Sequence, residues 1–165
     1  MFHSTTTRVF GVLLGAGAGM LCVTAGAPAA GAAPTAACPA PGAAVVQSAG
    51  IGASCSATSD AGGAAAAYGV DGSAQADAAA ASLSLAIAAN GGAARSASQY
   101  LSGPAAIAVG PGAQVSATGV RPGLSIGVAG PGATVTVTGS SIPTCTGGLG
   151  FAGDFQTLQG CLSMR

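Results

Sequence analysis

Three patterns in the chain carry residue types that do chemistry. Gly123-Leu124-Ser125-Ile126-Gly127 matches the G-x-S-x-G elbow that presents a serine nucleophile. That serine needs an imidazole to accept its proton, and the chain holds one histidine, His3, near its start. Gly147-Gly148-Leu149-Gly150 begins like the calcium-binding nonapeptide G-G-x-G-x-D. Its Asp position is Ala152, and Asp154 comes two residues late. Asp60, Asp71 and Asp77 are the nearest carboxylates in sequence. A facing carboxylate pair can act as acid and base on a glycosidic bond, and acidic surface loops are the plainer reading. No catalytic, metal or cofactor-binding set assembles from these parts, so the expectation is a protein that is not an enzyme and has no cofactor.

Cysteine chemistry depends on compartment. Arg8 is the only charge before Asp60. An apolar run follows over residues 9–23, then a small-residue tract over 25–33. Ala30-Gly31-Ala32 fits the A-x-A cleavage site of a secretory signal peptide. Residues 1–32 are therefore expected to be removed, which sends 33–165 to the outside or the cell envelope. The apolar run is shorter than the about 20 residues that span a bilayer, so no membrane span is expected after cleavage. Cys22 follows Leu21, where a lipobox needs a small residue.

Four cysteines remain: Cys38, Cys55, Cys145 and Cys161. An even number in an exported chain implies disulfides. Zinc would need a C-x-x-C or His spacing that is absent here. Of the three pairings that four cysteines allow, Cys38–Cys55 and Cys145–Cys161 each close a short terminal loop, which stabilises by about 3 kcal/mol in the chain-entropy picture.

Residues 33–165 carry four Asp and three Arg, with no Lys, Glu or His. This excludes the basic footprint of a nucleic-acid binder and the basic amphipathic face of a membrane-surface helix. The apolar half of the composition is mostly Ala, which buries little surface per residue. Such a chain either stays disordered or stacks small residues in a narrow repetitive core. Paired cysteines favour the ordered solution.

The elements that would build that core recur with a period of about 20 residues, the short end of the range for repeat architectures. Val109-Gly110-Pro111-Gly112-Ala113 is echoed by Ala129-Gly130-Pro131-Gly132-Ala133, and the glycine series continues through Gly52, Gly72 and Gly92. Val115 and Ala117, then Val135 and Val137, alternate with polar residues at the period of a half-buried strand. Leu83, Leu85 and Ile87 alternate with Ser82, Ser84 and Ala86 in the same way. Gly110-Pro111-Gly112 and Arg121-Pro122-Gly123 signal turns. Two strands and two turns per repeat fit one coil of a parallel β-solenoid or β-roll. Ile107 and Val109 match Ile126 and Val128 at an offset of 19. In the weaker copies the inward column would carry Gln75, Asp77 and Arg95. The alternative is an Ala-rich helix over 74–89 within a partly disordered chain, since Ala is the strongest helix former.

The run from Ala106 to Ala113, followed by Val115-Ser116-Ala117-Thr118-Gly119, resembles the head repeats of YadA-type trimeric autotransporter adhesins. The resemblance implies a left-handed parallel β-roll. Those repeats are shorter than the period found here, and no stalk or membrane barrel follows. The overall layout also resembles small secreted actinobacterial proteins.

The expected organisation is a signal peptide (1–32), an N-terminal cap (33–60) with Cys38 and Cys55, a repeat region (61–139, most regular over 105–139) and a C-terminal cap (140–165) with Cys145 and Cys161. The expected function is structural or surface-interacting: a repetitive Ser/Thr face against an envelope polymer, a host surface or other copies of the chain. The alternative is a small-ligand or partner-binding module in the C-terminal cap, with Phe151 and Phe155 as contact residues.

Overall fold

Segments that alternate Ala, Ser or Gly with a larger or more polar residue form strands wherever they occur between residues 35 and 165, the part of the chain that the computed structural model describes. Among these residues all regular structure is β. The expected signal peptide and its cleavage site lie outside the described residues. The first two strands are β1 (Thr35–Pro41) and β2 (Ala44–Ala49). Nine strands then wind as coils: β3 (Ser54–Ser59), β4 (Ala64–Val70), β5 (Ser73–Ala78), β6 (Leu83–Ala89), β7 (Ala93–Ser98), β8 (Ser102–Val109), β9 (Gln114–Gly119), β10 (Gly123–Ala129) and β11 (Ala133–Val137). β12 (Thr144–Gly147), β13 (Leu149–Asp154) and β14 (Gln159–Met164) follow.

Two seven-stranded sheets result. Sheet A runs β1-β4-β6-β8-β10-β13-β14, and sheet B runs β12-β11-β9-β7-β5-β3-β2. The coil strands pair in parallel within each sheet, as a β-solenoid requires. The helix considered for 74–89 is instead β5, a turn and β6. There the stack supplies each strand with a hydrogen-bonded neighbour on both sides, and that tertiary pairing overrides the helix propensity of Ala.

Coil length varies by one residue either way. Ser54 pairs with Ser73, Ser73 with Ala93, Ala93 with Gln114 and Gln114 with Thr134, at offsets of 19, 20, 21 and 20. The one-residue slip seen in the sequence has the opposite sign to that expected: Ile107 pairs with Val128, an offset of 21, and Ile126 sits beside Ala105. β8 keeps an offset of 20 from β6 up to Val109, so the extra residue enters in the Gly110-Pro111-Gly112 turn, where Gly110 has φ 104. The recurring glycines line one edge of the stack. At Gly92 a Cβ would stand 2.5 Å from the Ala108 carbonyl oxygen, so only glycine lets successive coils approach there.

At both ends the winding reverses. β2 runs antiparallel to β3 and β1 antiparallel to β4. At the other end β12 runs antiparallel to β11 and β13 antiparallel to β10, and β14 then adds to β13. A disulfide locks each reversal. Cys38 in β1 joins Cys55 in β3, and Cys145 in β12 joins Cys161 in β14, with Cα–Cα distances of 5.9 and 5.7 Å. Both bridges cross from sheet A to sheet B.

Small residues fill the space between the sheets. Ala67, Ala86 and Ala106 form one fully buried column of sheet A, and Ala57 and Ala76 are equally buried in sheet B. Val115, Val135 and Val137 face inward as their alternation implies. The expected inward column of Gln75, Asp77 and Arg95 is not the inward one: Ala74, Ala76 and Ala94 point in, and the polar three point out. Leu83, Leu85 and Ile87 likewise face outward, while Ser84, Ala86 and Ala88 face the core. A core lined by Ala on one wall has no room for Leu on the other.

Buried serines hydrogen-bond across this gap. Ser84 Oγ donates to Ser96 Oγ at 2.8 Å, and Ser96 Oγ donates to the Pro104 carbonyl at 3.0 Å. Ser102 Oγ donates to the Gly119 carbonyl at 3.0 Å. These bonds satisfy the hydroxyls where burial would otherwise cost stability.

Candidate functional site

The residues flagged for chemistry are occupied structurally. Ser125 faces the core from β10 at 2% exposure, and its Oγ has no hydrogen-bond partner. The serine is walled in, so the elbow pattern is a strand start and not a presented nucleophile. In the G-G-x-G segment, Ala152 is fully buried and Asp154 caps its own turn. Its carboxylate accepts from the Gln156 backbone N–H and the Thr157 hydroxyl, both at 2.9 Å. Among the described residues no group of three or more His, Cys, Asp or Glu could hold a metal ion. Asp60 and Asp77 line one shallow groove of about 210 Å³. Asp71 lies in the turn between β4 and β5, at the opposite edge of the stack, so the three carboxylates do not converge.

Two flat outer faces remain, and they differ sharply in chemistry. Sheet B presents a polar ladder. Register aligns Ser56, Gln75, Arg95, Ser116, Thr136 and Thr144 in one outward column. Arg95 donates to Gln75 Oε1 through Nε at 3.1 Å and Nη2 at 2.6 Å, and Gln75 Nε2 donates to Asp77 Oδ2 at 3.3 Å. A groove of about 380 Å³ runs along this ladder between Ser73 and Thr136.

Sheet A presents an apolar face. Among the described residues, none of its outward positions carries a charge, and the hydroxyls of Thr35 and Tyr68 are its only polar side-chain groups. Leu83 is 61% exposed and Leu124 62% exposed. Phe151, singled out in the sequence, belongs to this face, where it pairs with Val128 and Leu162. Phe155 lies in the turn beyond β13, 65% exposed, and its backbone N–H donates to the Leu124 carbonyl at 3.1 Å. A groove of about 480 Å³ opens between Leu83 and Leu124, floored by Gly103, Ala105 and Ala66.

The sequence conceals sheet A as a surface because the alternation of Leu83, Leu85 and Ile87 looks like that of Val115 and Val135, whose apolar set faces in. The signal was present: wherever Ala or Ser alternates with Leu or Ile, and the facing strands also alternate Ala, the small residues must take the inside.

A family model matches residues 1–164 of the chain. The chain belongs to the DUF6764 family, a family of unknown function. No curated protein and no solved structure matches it. For this DUF6764 member the surfaces themselves are what bear on function. Its two disulfides point to an oxidising, extracytoplasmic setting. Among the described residues no helix is long and apolar enough to cross a membrane.

Proposed function

We propose that this is a secreted or cell-envelope protein without enzymatic activity, and that it works by contact through its flat faces. The observation that carries the reading is the outward hydroxyl and amide ladder of sheet B, continuous across six strands from Ser56 to Thr144. Its rungs repeat at about 4.8 Å. Such a row suits an extended, hydroxylated envelope polymer, which would exchange hydrogen bonds with successive rungs. The sheet B face has no aromatic residue on which a sugar ring would stack, so recognition falls to Ser, Thr, Gln and Arg side chains.

The test is co-sedimentation of the exported, oxidised chain with insoluble envelope polysaccharide. Replacing Ser116 and Thr136 by Val keeps the strand shape and removes two hydroxyls. At about 0.5–1.5 kcal/mol each, their loss should weaken retention by about tenfold. Retention that is absent, or indifferent to this double substitution, rejects the reading.

The exposure of Phe155 favours a second reading, a partner-binding module at the C-terminal cap. There, Phe155→Ser would abolish capture of the partner while the Ser116/Thr136 variant would not.

A further inference from the structure

The apolar face of sheet A is larger and more uniform than a monomer's surface ordinarily shows. Seven strands at about 4.8 Å spacing, each about seven residues long at about 3.3 Å per residue, give a face of about 29 by 23 Å. That is roughly 670 Å² in projection, and side-chain relief raises it toward the about 800 Å² per partner of a standard interface. Apolar patches beyond about 300–600 Å² mark interaction sites. The face carries no charge to attract an anionic lipid surface and no charge to repel an identical copy of itself.

Its relief is uneven. Register stacks Tyr68, Ile87, Ile107, Val128, Phe151 and Leu162 into one tall column toward one edge. Toward the other edge the register interleaves the small residues Pro39, Pro41, Ala64, Ala66, Gly103 and Ala105, which floor the 480 Å³ groove, with Leu83, Leu85, Leu124 and Ile126, which stand between them. A two-fold axis parallel to the stacking direction turns one sheet over and carries Tyr68 and Ile107 of each copy over the small residues of the same strands in the other, with Ile87 and Val128 set against the leucines beside them. An isologous pair makes this contact twice.

We infer that the occupant of sheet A is a second copy of this chain, packed face to face as a two-fold dimer. The product is a four-layer slab with the apolar faces inside and two sheet B ladders outside, pointing in opposite directions. This inference stands on sheet A alone and is independent of what the ladders contact.

Sedimentation equilibrium of the exported, oxidised chain in plain buffer tests it, with no polymer present. Twice the monomer mass is expected, with a dissociation constant on the order of 1 µM or tighter. Ile107→Glu places a charge in the middle of each buried face and should weaken the dimer by at least about 100-fold. Leu124→Glu, on the groove wall and well exposed in the monomer, should do the same, and it carries the test if the first variant fails to fold by circular dichroism. Ser116→Glu on sheet B should leave the mass doubled. A monomer across the whole concentration range overturns the inference, as does a dimer that both face variants leave intact. A chain that stays monomeric and floats with phosphatidylcholine vesicles would assign the face to lipid instead. Loss of polymer binding with an intact dimer would reject only the sheet B reading.

Discussion

Ala86→Leu and Leu85→Ala, two neighbouring substitutions in β6, test the inside–outside assignment directly. Ala86 is fully buried, and its partners along the stack, Ala67 and Ala106, are fully buried too. Leucine adds three carbons to a position whose neighbours are alanines held at strand spacing, so the sheets must part or the rotamer must strain. Overpacking usually costs about 1–3 kcal/mol for smaller insertions, and about 3 kcal/mol or more is expected here. Leu85 is half-exposed on the outer face. Its truncation forfeits only part of the about 1.5–3 kcal/mol that full burial of a leucine provides, so about 1 kcal/mol is expected. At about 4 °C per kcal/mol for a domain of this size, Ala86→Leu should lower Tm by about 12 °C and Leu85→Ala by about 4 °C. The assay is thermal and urea unfolding with disulfides intact, at a concentration low enough that assembly adds nothing. If leucine faced the core, truncating it would cost about 2–5 kcal/mol and the order would invert. That inverted order, with Ala86→Leu neutral, would refute the reasoning.

Other perturbations probe separate parts of the fold. Converting Cys38 and Cys55 together to Ala opens a link across 17 residues and should cost about 3 kcal/mol in urea titration. Gly127→Ala would set a Cβ 2.8 Å from Val115 Cγ1 and 3.2 Å from Val135 Cγ1. It should destabilise by about 1–3 kcal/mol, and Val115→Ala in the same chain should recover most of the loss. Ser125→Ala removes a buried hydroxyl without a partner and should be neutral or stabilising by up to about 1 kcal/mol. Ser96→Ala breaks the bonds to Ser84 and Pro104 and should cost about 1–2 kcal/mol in the same titration.

The β-solenoid was legible because its signals are local. The Gly-Pro-Gly turns, the alternation around Val115 and Val135, and the spacing of the cysteines are each visible within a few residues. What the sequence hid was relative: which of two alternating sets faces in. For Val135 against Thr136 polarity decides. For Leu85 against Ala86 both residues are apolar, and the decision belongs to the opposite wall, whose width no single strand reveals. Register suffered for a related reason. Ile107 resembles Ile126 more than it resembles Val128, yet the extra residue at the Gly110 turn shifts the pairing to Val128. The apolar face stays hidden for the same reason, since no single strand shows that its larger set is the outer one. Phe151 was found because an aromatic in a short terminal segment stands out, but its membership of a seven-stranded face depends on strands far from it in sequence.

The reversed coils at the two ends separate the protein's length from its termination. Each end turns its last backbone ladder back on itself and fastens it with its own disulfide, so neither end draws on how many coils lie between. A coil is therefore an interchangeable unit: gaining or losing one lengthens or shortens both faces by one strand, about 4.8 Å, and leaves the closures untouched. Selection can thus tune reach, and with it the number of rungs offered to a partner, by duplication within the middle of the gene alone.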